Sequence, residues 1–222
     1  MNKKLFYGVT TLIGLGIIYF TINKFFGKKN KTANSILFVG DSITVIDYNG
    51  QPVKTNYPYL IKQELEPKGK KIDVLAVAGK TTGWQLENLI EKLKTNKYDR
   101  IYIYGGVNDM FSGVSKAKAL SNVQQMVDLS KKNGADPYVI IGYDAQSFMD
   151  ENKLKTTKNV PTKAGMLALK NKYVDYQNSI PSTITGATIV DKFNIPTSMT
   201  VDAIHPTPSG QKIIANKLLE NL

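Results

Sequence analysis

Ser42, Asn108, Asp202 and His205 are the residues whose types and order invite chemistry in this sequence. Ser42 follows Gly40 and Asp41, directly after the apolar run Ile36-Leu37-Phe38-Val39. A serine hydroxyl attacks an acyl carbon when a positioned base takes its proton, and imidazole is the usual base. The chain holds 1 histidine, so any imidazole chemistry falls to His205. Asp202 lies just upstream in Asp202-Ala203-Ile204-His205, placed to accept the other ring N–H and set the tautomer. Attack on an ester leaves negative charge on the former carbonyl oxygen, which needs preorganised donors. The backbone N–H groups of Ser42 and Gly79 and the side-chain amide of Asn108 are candidates for that oxyanion hole.

These residues need a frame. The run 36–39 reads as a strand buried on both faces, stopped by Gly40, Asp41 and Ser42. Further strands are expected at 72–78, 101–104, 138–141 and 187–190. Helical spacing or caps place helices at 57–65, 82–94, 115–132, 163–177 and 209–219, with an irregular stretch at 143–162. Strands separated by helices imply a parallel sheet of about five strands with helices on both faces. In such a sheet the loops after the strands share one rim, where open α/β sheets bind ligands. Ser42, Gly79, Asn108 and the Asp202–His205 loop all fall on that rim.

In order and rough spacing, four stretches resemble the SGNH hydrolases, also called GDSL-like esterases and lipases. They are Gly40-Asp41-Ser42, Gly79, Gly106-Val107-Asn108-Asp109 and Asp202 to His205. The resemblance spans nearly all of the chain after residue 34. It implies a flavodoxin-like three-layer α/β/α fold and serine-dependent ester hydrolysis without metal or cofactor. It also implies roles: Ser42 as nucleophile, His205 as base, Asp202 as the orienting acid, and Ser42, Gly79 and Asn108 as oxyanion donors. Lys80 departs from the pattern, since a small or acidic residue is frequent there.

Each motif has a plainer reading. Ser42 could cap a helix, Asn108 could close the turn after Gly105-Gly106, and Gly79 could be a turn glycine. Asp202 could cap a turn, and Asp109 reads as a cap rather than a chemical group. A non-catalytic binding or structural protein on the same fold is the alternative function. Other chemistries fail on inspection. Gly79-Lys80-Thr81 lacks the P-loop glycine, because Val74 stands at its position. Ser115-Lys116-Ala117-Lys118 has no S-D-N or K-T-G companion, and Thr44 replaces the second glycine of a G-x-S-x-G elbow.

Composition narrows the rest. The 222 residues include no cysteine, which excludes disulfides, a thiol nucleophile and thiolate metal sites. With 1 histidine, multi-histidine metal sites are excluded as well. The formal charge is +11, but residues 1–31 carry six lysines and no acid. The remainder has 23 basic and 18 acidic residues, and Arg100 is the lone arginine. That pattern argues against a nucleic-acid partner, which arginine-rich surfaces serve.

Residues 5–22, LFYGVTTLIGLGIIYFTI, hold no charge. At about 1.5 Å per residue the run approaches the span of a ~30 Å hydrocarbon core, and Phe25 and Phe26 could extend it. No A-x-A-like site follows, as a cleaved signal peptide would require, and no polar face marks a core helix. The expectation is a transmembrane anchor at 1–26, a basic linker at 27–34 and a hydrolase-like domain at 35–222. Lysines on the carboxyl side of the run favour a cytoplasmic domain, whereas amino-terminal anchors commonly export the domain attached to them. An extracytoplasmic domain acting on an acyl-ester substrate is the expectation.

Overall fold

The structure is a computed structural model that describes residues 33–45, 47–48, 51–143, 162–202 and 204–222. The expected membrane anchor, 1–26, and the expected basic linker up to residue 32 lie outside the described residues, while Ala33 and Asn34 at the linker's end are described. Among the described residues, no helix is long and apolar enough to cross a membrane.

Residues Ala33–Leu222 form one compact unit. Its sheet contains β1 (Ser35–Gly40), β4 (Lys71–Ala76), β5 (Arg100–Ile103), β6 (Asp136–Ile140) and β7 (Thr188–Val190). All pairs are parallel, in the order β4-β1-β5-β6-β7. Counting these strands along the chain gives 2-1-3-4-5, the flavodoxin-like order, whose switch point lies where the connections diverge to either side of β1. Ile36, Leu37, Phe38 and Val39 are fully buried, as expected of a central strand covered on both faces. Burying side chains of this size contributes about 2 kcal/mol each before the entropy of ordering is subtracted.

The helices are α1 (Tyr57–Leu65), α2 (Thr82–Thr95), α3 (Val107–Phe111), α4 (Lys116–Asn133), α5 (Lys163–Thr183) and α6 (Pro208–Leu219). α1 packs with α6, while α2, α4 and α5 pack successively with one another. Local signals explain several boundaries. Ser115 Oγ accepts from Lys118 N at 3.2 Å to start α4, and Gly134, in the left-handed region, ends it.

Three features depart from the expected elements. A short antiparallel hairpin, β2 (Asp47–Tyr48) with β3 (Gln51–Pro52), comes after the Ser42 turn. The helix α3 follows Gly106 within the loop expected after β5. The expected helix 163–177 continues to Thr183 and accommodates Pro181. Proline costs this helix one backbone hydrogen bond, but Tyr176, Ile180 and Ile184 are buried there and hold the last turns against the core.

Candidate active site

The chain leaves β1 through a turn that only a residue without a side chain permits. A Cβ on Gly40 would lie 2.1 Å from Thr44 Oγ1, because residues 41–45 fold straight back over it. Asp41 O accepts from Thr44 N at 3.0 Å and Val45 N at 2.9 Å, and Ile43 N donates to Asp41 Oδ1 at 3.1 Å. Asn56 closes the turn from outside, its amide donating to Ser42 O at 3.2 Å and Val45 O at 2.9 Å. Gln211 of α6 adds a tie by donating to Ile43 O at 3.2 Å while accepting from Tyr57 N at 3.0 Å. Ser42 is thereby held at the carboxyl end of β1, beside the switch point.

His205 reaches Ser42 from the far end of the chain. Ser42 Oγ lies 2.8 Å from His205 Nε2, and His205 Nδ1 lies 2.8 Å from Asp202 Oδ2. Asp202 Oδ1 accepts the backbone N–H groups of Ile204 at 3.1 Å and His205 at 2.8 Å. One carboxylate thus fixes both the ring and the peptide that carries it. With Asp202 accepting from Nδ1–H, Nε2 is left as the acceptor facing the serine hydroxyl. The loop closes through Val201 N donating to His205 O at 2.8 Å and Thr207 N donating to Met199 O at 2.7 Å.

The electrostatics reflect this geometry. Burial pushes the Asp202 carboxyl upward, but hydrogen bonds from the His205 ring and backbone more than reverse that, bringing it to about 2. The hydrogen bond to Asp202 holds His205 above its ordinary value of 6.5, against desolvation. The stability signs are opposite. The Asp202 contribution is present above 3.8 and lost as pH falls to about 2, while the His205 contribution is present below 6.5 and lost as pH rises through its folded-state value. The His205 side chain retains 42 % exposure, so solvent screens both effects.

Asn108, the second residue of α3, turns its amide towards Asp41 Oδ2 at 3.3 Å and Lys80 O at 3.1 Å. Gly79 lies in the same loop as Lys80, between β4 and α2. Among the described residues, neither the Ser42 nor the Gly79 backbone N–H has a protein acceptor. Asp109 takes a different part. Its carboxylate accepts Thr82 N at 2.9 Å and Thr82 Oγ1 at 2.6 Å, capping α2 from across the rim. Asn122 donates to the same Thr82 hydroxyl at 3.0 Å. The expected capping character of Asp109 is present, but the helix it caps belongs to the neighbouring loop.

Ser42, His205 and Asp202 form one continuous contact chain, and Asn108 joins it through Asp41, the residue before Ser42. Asp41 itself is buried, and burial pushes its carboxyl up to about 6 despite the Ile43 hydrogen bond and the pull of His205. Asn56, Gln211 and Tyr143, whose hydroxyl donates to Ile204 O, were not legible as site residues. An asparagine just before an aromatic helix start has no motif, and a glutamine on an amphipathic helix looks like a solvent-facing residue. Among the described residues, no group of three or more histidine, cysteine or acidic side chains is placed to hold a metal ion.

Residues 38–213 match the GDSL-like Lipase/Acylhydrolase family. The chain belongs to that family. An arylesterase of Vibrio mimicus is 28% identical over 109 residues, a stretch that is 48% of this chain and 54% of that protein. The chain thus matches about half the length of this curated relative. Among solved structures, a catalytic mutant of an acetylxylan esterase from Geobacillus stearothermophilus has a TM-score of 0.62 at 16% identity, covering 85% of this chain and 93% of that one. The psychrotrophic esterase EstA from Pseudoalteromonas sp., inhibited by monoethylphosphonate, has a TM-score of 0.58 at 16% identity, covering 85% and 96%. At such identities these likenesses establish the shared GDSL-family fold alone.

Proposed function

We propose that this GDSL-family chain is a serine ester hydrolase. The observation that carries the proposal is the unbroken chain Ser42 Oγ, His205 Nε2, His205 Nδ1, Asp202 Oδ2, with 2.8 Å at each contact between residues. In this reading Ser42 Oγ attacks the acyl carbon while Nε2 takes its proton. Asp202 stabilises the imidazolium and keeps Nδ1 protonated throughout. The Ser42 and Gly79 N–H groups meet the oxyanion, and Asn108 exchanges its longer contact with Asp41 for a third donation. His205 then returns the proton to the leaving alkoxide. A water activated by the same nitrogen releases the acid and restores Ser42.

The substrate proposed is an acyl ester, either a lipid or an O-acetylated carbohydrate. The arylesterase and acetylxylan esterase likenesses support the acyl-ester class in general, and neither bears on the acyl chain or alcohol of this protein. The charge-free run 5–22 supports a further proposal, that an amino-terminal helix tethers the enzyme to a membrane. Retention in the membrane pellet after carbonate extraction is the expected result for the full chain. Release into the supernatant removes the spanning helix.

The decisive experiment is labelling with a fluorophosphonate probe. The native chain is expected to label and to hydrolyse p-nitrophenyl acetate, and the Ser42→Ala chain to do neither. A native chain that does neither ends the esterase reading in favour of a binding role. The pH profile supplies a second check. A base must be neutral to accept a proton, so kcat/KM should rise with pH along a limb whose midpoint lies above 6.5. A profile flat from about pH 5 to 8 would exclude a histidine base.

A further inference from the structure

The peptide unit between Ile204 and His205 is gripped on both of its polar atoms. Its N–H donates to Asp202 Oδ1 at 2.8 Å, and its C=O accepts the hydroxyl of Tyr143. Tyr143 lies just beyond β6 and is fully buried. Its backbone is fixed too. Gln177 of α5, also fully buried, donates through Nε2 to Ile141 O at 3.0 Å and Tyr143 O at 3.2 Å. Tyr143 bridges in parallel to Phe193, whose N–H donates to Gly142 O at 2.8 Å. The rigid interior therefore extends through one side chain to the peptide that sets the direction of the imidazole.

We infer that Tyr143 is a positioning residue for His205, acting as a clamp that holds the Ile204–His205 peptide so that the ring bridges Asp202 and Ser42. The inference rests on the esterase reading for its kinetic consequence, but the clamp is testable without turnover. The peptide carries no chemistry itself. Rotating it would carry the imidazole off the line between Ser42 Oγ and Asp202 Oδ2, and hydrogen bonds weaken steeply off line. A ring hinged on an exposed loop could sample such rotations, and a bond from the core restricts them. Asp202 and Asp41 are the charged groups that bear on His205. Of these two, Asp202 is the one bonded to the peptide that Tyr143 holds.

The presence of 1 histidine in the chain makes the test direct, because its ring proton resonance needs no assignment by mutation. Tyr143→Phe keeps the buried ring and deletes the hydroxyl. In the full chain we expect the His205 titration midpoint to move down towards 6.5, since a looser pair with Asp202 raises it less. Loss of one neutral hydrogen bond corresponds to about tenfold in kcat, with KM changed less than about twofold. In an Asp202→Asn background the same substitution should have little further effect, because the clamp acts through that pair. Gln177→Met, which releases the Tyr143 carbonyl and spares the hydroxyl, should shift the titration in the same direction by a smaller amount. This second variant decides the matter should Tyr143→Phe fail to fold. An unmoved His205 titration in a folded variant overturns the clamp, as does an equal kcat loss with and without Asp202. A native chain that hydrolyses no ester overturns the esterase reading instead and leaves the titration to judge the clamp.

Discussion

His205→Ala is expected to lower kcat/KM for p-nitrophenyl acetate by about ten-thousand-fold or more while the chain stays folded. The loss is large because no other imidazole exists in the chain to replace it. Asp41 is the nearby carboxyl raised to about 6, but its bonds run to Ile43 N and Asn108, not to the Ser42 hydroxyl. The fold should survive because His205 is partly exposed and its loop is closed by backbone bonds of Val201 and Thr207. Asp202→Asn is expected to cost less, about a hundredfold to ten-thousand-fold, since Nε2 keeps its place while the tautomer is lost. Steady-state kinetics with a urea unfolding curve for each variant would check this. A folded His205→Ala enzyme within about tenfold of native activity would end the triad reading.

Gly106→Ala is expected to be among the most damaging single methyl groups in the rim. Gly106 has φ +110, in the left-handed region that strains any other residue. A Cβ there would also lie 2.3 Å from Tyr176 Cε1 and 2.4 Å from Cζ. Tyr176 cannot yield easily, because it is buried and stacked on Tyr173 with ring centroids 6.0 Å apart. Overpacking and backbone strain together suggest a cost of about 3 kcal/mol or more. The urea midpoint should fall accordingly, and a change below about 1 kcal/mol would mean the ring moves aside. The folded fraction should also lose activity, because Gly106 starts the short helix that carries Asn108.

The same glycine shows how far pattern reading goes. Gly106-Val107-Asn108-Asp109 is visible as a motif, and its place on the rim comes from counting strands. The helix α3 is not visible, because five residues carry too little periodicity to distinguish a turn of helix from a loop. The roles of Asp109 and Asn108 separate only in three dimensions. Both are polar residues after a glycine pair, yet one points across to Thr82 while the other points to Asp41 and Lys80. Similarly, Pro181 reads as a helix stop by local rules, and the buried Ile180 and Ile184 override it.

Sequence alone determined the order of the five sheet strands and the five longer helices, the serine after a buried strand, and the single histidine in the chain. Apolar periodicity and turn residues are local properties, so they survive in one dimension. What tertiary structure decided is contact. Ser42 and His205 stand 163 residues apart, and their 2.8 Å approach exists because β1 lies inside the sheet, between β4 and β5, and the chain returns past β7 to the same rim. Asn56, Gln211 and Tyr143 enter the site for the same reason. Their amides and hydroxyl are ordinary surface chemistry in sequence, and burial gives them fixed partners.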